Sequence, residues 1–143
     1  MSTKSQLTQV FNDNFTTYFR SHVAHVNIMG RNFTSDHSLL GEIYEDLQDQ
    51  IDTIGELLRS INEFMPSDLM TVLTDSHIPS FAMEGSSETL LGEVRTDLEH
   101  LKGCYEMLME TAEEEEHDEI ANYAQERILA IAKFIWKLNA TLD

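Results

Sequence analysis

His25-Val26-Asn27-Ile28-Met29-Gly30-Arg31-Asn32-Phe33-Thr34-Ser35-Asp36-His37 places two histidines twelve residues apart around a glycine, and Asp52-Thr53-Ile54-Gly55-Glu56 follows fifteen residues later. Ahead of the first run, Leu7, Val10, Phe11, Phe15, Tyr18, Phe19, His22 and Val26 recur at three and four, which predicts an amphipathic helix ending at Gly30. Thr34 or Ser35 can cap the next helix. Its stripe runs through Leu40, Ile43, Tyr44, Leu47, Ile51, Ile54, Leu58 and Ile61 until Pro66 stops it.

Outward from this junction the pattern stays helical. Ser67 to Leu73 forms a short helix bounded by Pro79. Ser86 or Ser87 caps a third long helix carrying Leu90, Leu91, Val94, Leu98, Leu101, Tyr105 and Leu108. A fourth carries Ile120, Tyr123, Ala124, Ile128, Ile131, Ile135 and Leu138, and no strand pattern competes. The expected fold is an all-α four-helix bundle whose central crossover connection holds a short helix. Without an internal repeat or a Gly/Ser-rich linker, residues 1–143 read as one domain.

The two quoted runs also carry chemistry. Neutral imidazoles with carboxylates suit iron or another divalent first-row metal, which makes His25, His37, Asp52 and Glu56 candidate ligands. On one continuous helix Asp52 and Glu56 share a face, but His37 lies ~22 Å from Asp52 at 1.5 Å per residue. One chain therefore cannot close the site. Antiparallel copies of the helix crossing near Tyr44 and Glu45 would set His37 of one chain beside Asp52 and Glu56 of another. Gly41, Gln48, Gly55 and Arg59 lie on the same side, and two helical glycines cost about 1 kcal/mol each relative to Ala, so close approach of a second helix is expected there. His22 reads as a core or interface residue rather than a ligand.

In this register, His25, Asn27, Gly30, Phe33, Asp36, His37, Asp52 and Glu56 resemble the ferroxidase signature of the Dps family, the mini-ferritins, and Lys133-Phe134-Ile135-Trp136-Lys137-Leu138 resembles the family's last helix. The resemblance implies a ferritin-like bundle and a dodecameric cage. It implies iron(II) oxidation, with hydrogen peroxide preferred to dioxygen, and iron(III) stored inside as mineral. His25 and His37 of one subunit with Asp52 and Glu56 of a neighbour would hold iron, two ions per site being possible. Val26 stands where the family usually has Trp, and Leu57 where an Arg is common. These departures leave a rival: an acidic scaffold or passive metal buffer without turnover.

Glu113-Glu114-Glu115-Glu116-His117-Asp118-Glu119 is the densest charge block. It reads as a solvated turn with carboxylates at a helix N-terminus. The resemblance would place Glu115, Glu116, Asp118 and Glu119 around a three-fold pore as the iron entrance. Glu114-x-x-His117 also matches half of an intramolecular di-iron motif, but such a centre needs two copies. Glu42, Glu45 and Asp49 are the nearest acidic candidates for mineral nucleation.

The net charge of −17, from 26 acidic and 9 basic residues, argues against DNA as a partner, because phosphate binding takes clustered Lys and Arg. Only Lys4 falls among the first ten residues. The acidity suits attraction of cations. No signal pattern and no run of eighteen apolar residues appear, so a cytoplasmic protein is expected. Cys104, the one cysteine, lies in an apolar stripe as a buried free thiol. Met65, Met70, Met83, Met107 and Met109 show no ligand spacing and read as packing.

Overall fold

The computed structural model describes residues 1–143. Helix α1 spans Thr3–Asn27, α2 Phe33–Ser60, α3 Leu69–Asp75, α4 Ser87–Glu114 and α5 Asp118–Leu142. Two-residue strands β1 (Ile28–Met29) and β2 (Gly85–Ser86) pair in parallel. The architecture is the expected bundle: α1 packs on α2 and α4, α4 on α5, and α3 lies against α1 in the crossover. No helix is long and apolar enough to cross a membrane.

Local chemistry sets the boundaries. Ser2 and Ser5 form a reciprocal capping box at α1, each hydroxyl accepting the other's backbone N–H at 3.1 and 3.0 Å. The expected cap of α2 by Thr34 or Ser35 is replaced. The helix already begins at Phe33, and the Ser35 hydroxyl donates back to the Asn32 carbonyl at 3.1 Å. The short helix is displaced from Ser67–Leu73 to Leu69–Asp75 because the Asp68 carboxylate accepts from the Met70 and Thr71 amides at 3.0 and 3.4 Å. Ser86 caps α4. The β1–β2 bridge went unforeseen, since two residues carry no periodicity.

One cluster of 26 buried hydrophobic residues joins the long helices, and Leu47, Leu98, Leu101, Leu108 and Ile131 are fully enclosed within it. Each such side chain contributes about 1.5–3 kcal/mol by leaving water. Met83 and Met109 pack on this core, as expected of packing methionines. Met65, Met70 and Met107 do not, being on outer faces; in α3 only Val72 is buried.

Two ion pairs cross the interior. Arg20 Nε donates to Asp97 at 2.7 Å, both side chains being buried. Burial pushes the Asp97 carboxyl up to about 6 even though Arg20 opposes the shift. Arg127 grips Asp46 with two bonds of 3.1 and 2.5 Å, beside a Tyr123 hydroxyl that donates to Gln50 at 2.7 Å. Burial works against the Arg127 charge, but Asp46, together with Tyr105 and Tyr123, more than restores it.

Candidate metal centre

The turn between α1 and α2 is held by the signature residues that are not ligands. Asn27 donates its side-chain amide to the Met83 carbonyl at 3.0 Å, and the Ser87 hydroxyl donates to buried Asp36. Gly30 has φ +150°, and a Cβ there would meet Ser87 Cβ at 3.1 Å, so a side chain would be both strained and crowded. Together with the β1–β2 bridge these contacts pin the turn to the N-terminus of α4.

That anchoring brings His25 and His37 together. Each imidazole lies against the other's backbone: His25 Nδ1 is 2.6 Å from the His37 carbonyl oxygen, and His37 Nδ1 is 2.7 Å from that of His25. A carbonyl only accepts, so both Nδ1 atoms carry the hydrogen, and each neutral ring keeps its lone pair on Nε2. The rings stack at 3.7 Å between centroids, with Phe33 on the far side of His37 at 5.0 Å. Such outer hydrogen bonds orient a metal-binding imidazole and fix its tautomer.

Gly41 makes this possible within the chain. A Cβ at Gly41 would lie 3.1 Å from His25 Cε1 and 3.3 Å from Nδ1, and one at Gly55 would lie 2.6 Å from the Met65 sulfur. The space expected to admit a second helix is thus filled by His25 and Met65. His22 is half-buried, stacked on Tyr44 at 3.9 Å with the Tyr18 hydroxyl 3.2 Å from its Nδ1. Tyr44 also lies 5.0 Å from the His25 ring, an aromatic neighbour that the sequence reading missed.

Asp52 and Glu56 are exposed one turn apart on α2. A hydrogen bond with Asp52, and then the Asp52 charge, push the Glu56 carboxyl up. Since α2 runs unbroken from Phe33 to Ser60, the helical rise keeps Asp52 ~22 Å and Glu56 ~28 Å from His37. The four candidates therefore fall into two groups, nitrogen donors at the start of α2 and oxygen donors near its end.

The acidic turn divides as well. Glu115 accepts from the Thr3 amide at 2.7 Å and the Thr3 hydroxyl at 2.5 Å, which lowers its carboxyl below the usual range and ties it to the first turn of α1. Glu116, Asp118 and Glu119 are exposed, with Glu119 3.9 Å from His117. Glu114 ends α4 and His117 precedes α5, so the Glu-x-x-His match straddles a turn instead of sharing a helix. Glu42 pairs with Lys137 at 3.2 Å, while Glu45 and Asp49 are exposed.

The ferritin-like domain family matches residues 4–143. This chain belongs to the ferritin-like family. Its relatives include Dps proteins. The DNA protection during starvation protein of Helicobacter pylori is 25% identical over 131 residues, covering 91% of each chain. Antigen TpF1 of Treponema pallidum is 29% identical over 141 residues, 96% of this chain and 78% of that one. The crystal structure of TpF1 superposes with a TM-score of 0.94 at 27% identity, covering 99% of this chain and 91% of that chain. The Helicobacter cinaedi CAIP structure gives 0.93 at 24% identity, covering 99% and 100%.

One further group of ligating atoms lies elsewhere in this ferritin-like bundle. Asp13, His77 and His100 bring a carboxylate oxygen and two ring nitrogens within 4.8 Å of one another. Sequence spacing gave no sign of it.

Proposed function

We propose that this chain is an iron-storage and detoxification protein of the Dps type: it oxidises iron(II), with hydrogen peroxide as oxidant, and holds the iron(III) product as mineral inside a dodecameric cage. The observation that carries this reading is the split ligand set. His25 and His37 are oriented with Nε2 free, while Asp52 sits ~22 Å and Glu56 ~28 Å along α2 from His37, so each group completes the other only across a two-fold interface.

Iron(II) is the substrate, and the residues fit it. Two imidazoles and two carboxylates are donors that first-row divalent ions accept. The carboxylates favour the more highly charged product, and an arriving cation relieves the repulsion between Asp52 and Glu56 that helps push the Glu56 carboxyl up. The −17 charge draws cations toward the assembly, with Glu116, Asp118 and Glu119 at the pore entrance and Glu45 and Asp49 as nucleation points. Glu115 and Glu42 contribute charge while tied to Thr3 and Lys137. We place the protein in the cytoplasm, without direct DNA binding.

The test is the rate of iron(II) oxidation by peroxide in the wild-type assembly and in a His25→Ala variant. Loss of the fast phase in the variant supports the reading. Equal rates from two intact cages would leave the passive metal buffer. Mixed assemblies of His25→Ala/His37→Ala with Asp52→Ala/Glu56→Ala chains should regain part of the activity. No recovery in verified mixed cages would reject the shared site.

A further inference from the structure

We propose that Asp13, His77 and His100 form a second divalent-metal site, contained in a single chain and independent of His25 and His37. Asp13 lies on α1 about 18 Å along the helix from His25. His77 comes from the connection between α3 and β2, and His100 from the middle of α4. The site would therefore join the crossover to two long helices.

Asp13 is fully buried, and only imidazoles stand within ion-pair distance of its carboxylate; no lysine or arginine does. Its two oxygens have different surroundings. Oδ1 accepts the His77 backbone N–H at 2.7 Å and the Ser76 hydroxyl at 3.0 Å. These bonds fix the carboxylate. Oδ2 faces His100 Nε2 at 3.2 Å and His77 Nδ1 at 3.9 Å, with the Cys104 sulfur at 3.3 Å. Gln9 Nε2 lies 3.2 Å from both oxygens.

Donors ~2.1 Å from a tetrahedral ion are ~3.4 Å apart. The Oδ2–Nε2 separation already matches, and His77, whose side chain is 62% exposed, needs only a small ring movement to close the 3.9 Å gap. The two rings meet edge to face at 5.8 Å, which lets their lone pairs converge instead of stacking past each other. Two imidazoles and one carboxylate form a set used by zinc, cobalt and iron(II), with the Cys104 sulfur 3.4 Å from His100 Nε2 beside them. On binding, the ion takes the place of the hydrogen between His100 Nε2 and Asp13, and that hydrogen moves to His100 Nδ1. The buried carboxylate thereby gains a full counter-charge that neutral imidazoles do not supply.

The test uses full assemblies of a His25→Ala/His37→Ala/Asp52→Ala/Glu56→Ala background, stripped with chelator, so that the proposed iron-oxidising ligands contribute nothing. Cobalt(II) is titrated in, following the visible absorption of low-coordinate cobalt, and zinc(II) is then used to displace it. We expect one cobalt per chain, with excess magnesium leaving the signal intact. His77→Ala or His100→Ala in that background should weaken binding on the order of 100-fold. Zinc should raise the melting temperature of the background assembly but not of those variants. Both histidines are partly exposed, so the variants should fold, with circular dichroism as the check. Cobalt binding unchanged by both variants would overturn the proposal. So would the absence of bound cobalt in the background assembly, or full displacement by magnesium. None of these results bears on iron oxidation, which fails or succeeds with His25.

Discussion

His25 and His37 hold each other through backbone carbonyls twelve residues apart, whereas His77 and His100, twenty-three apart, share the carboxylate of Asp13 as their polar partner. The first pair is oriented by its own chain yet has no acid beside it. The second has its acid built in, and the two rings reach it from separate elements. The difference teaches what an assembly would add. On the proposed function, a pair lacking its acid would gain it from another subunit, whereas a pair that already has one would take a metal within one chain.

The largest expected effect separates the pairs outright. His37→Ala should slow peroxide-driven iron oxidation more than 100-fold, on the order seen when a metal ligand or its support is removed, yet keep one cobalt per chain at Asp13. Parallel assays of oxidation and cobalt stoichiometry on one preparation decide it. If both fall together, the two pairs are not independent.

Next comes a contrast between buried carboxylates. Asp97 has the guanidinium that Asp13 lacks, yet burial raises it from 3.8 to about 6. Its folded value lies above its unfolded one, so its contribution is fully present below about pH 4 and is lost as the pH rises through about 6. The loss amounts to about 3 kcal/mol by neutral pH. Urea unfolding at pH 5 and pH 7 should show wild type losing more stability over that interval than Asp97→Asn. Equal losses would remove Asp97 as the source.

A smaller effect sharpens the orientation argument. Gly41→Ala presses a methyl on the His25 ring and should cost iron oxidation on the order of tenfold. Gly55→Ala meets the flexible end of exposed Met65 and should cost far less. Comparing the two initial rates checks this, and equal rates would show that His25 is not held by that contact. The smallest effect expected is none at all: duplex DNA should run free of the protein in a gel shift at about 0.15 M salt. Retention without divalent metal would contradict the charge reading.

These contrasts also mark what a sequence discloses. The long helices were legible because Leu47, Leu58, Leu98 and Leu108 fall on repeating stripes that the core encloses. His25 and His37 were legible because the turn joining them is short and contains Gly30. Asp13, His77 and His100 were not, since 64 and 23 residues separate them and only tertiary packing brings them together. Cys104 was foreseen as buried, but its contact with Asp13 belongs to the same invisible class. At Gly41 the spacing marks a missing side chain without saying that the His25 ring of the same chain lies against it.

The parallel bridge between Ile28–Met29 and Gly85–Ser86 has a kinetic consequence. It closes a loop that includes all of α2 and α3, and such long-range contacts carry their chain-entropy cost before they return any stability. The histidine turn thus gains its final shape only once the crossover has docked. In the native protein, this bridge is a natural place for local opening, during which the two rings lose their alignment without global unfolding. Hydrogen exchange at the bridge amides and decline of the oxidation rate should therefore rise together as mild denaturant is added.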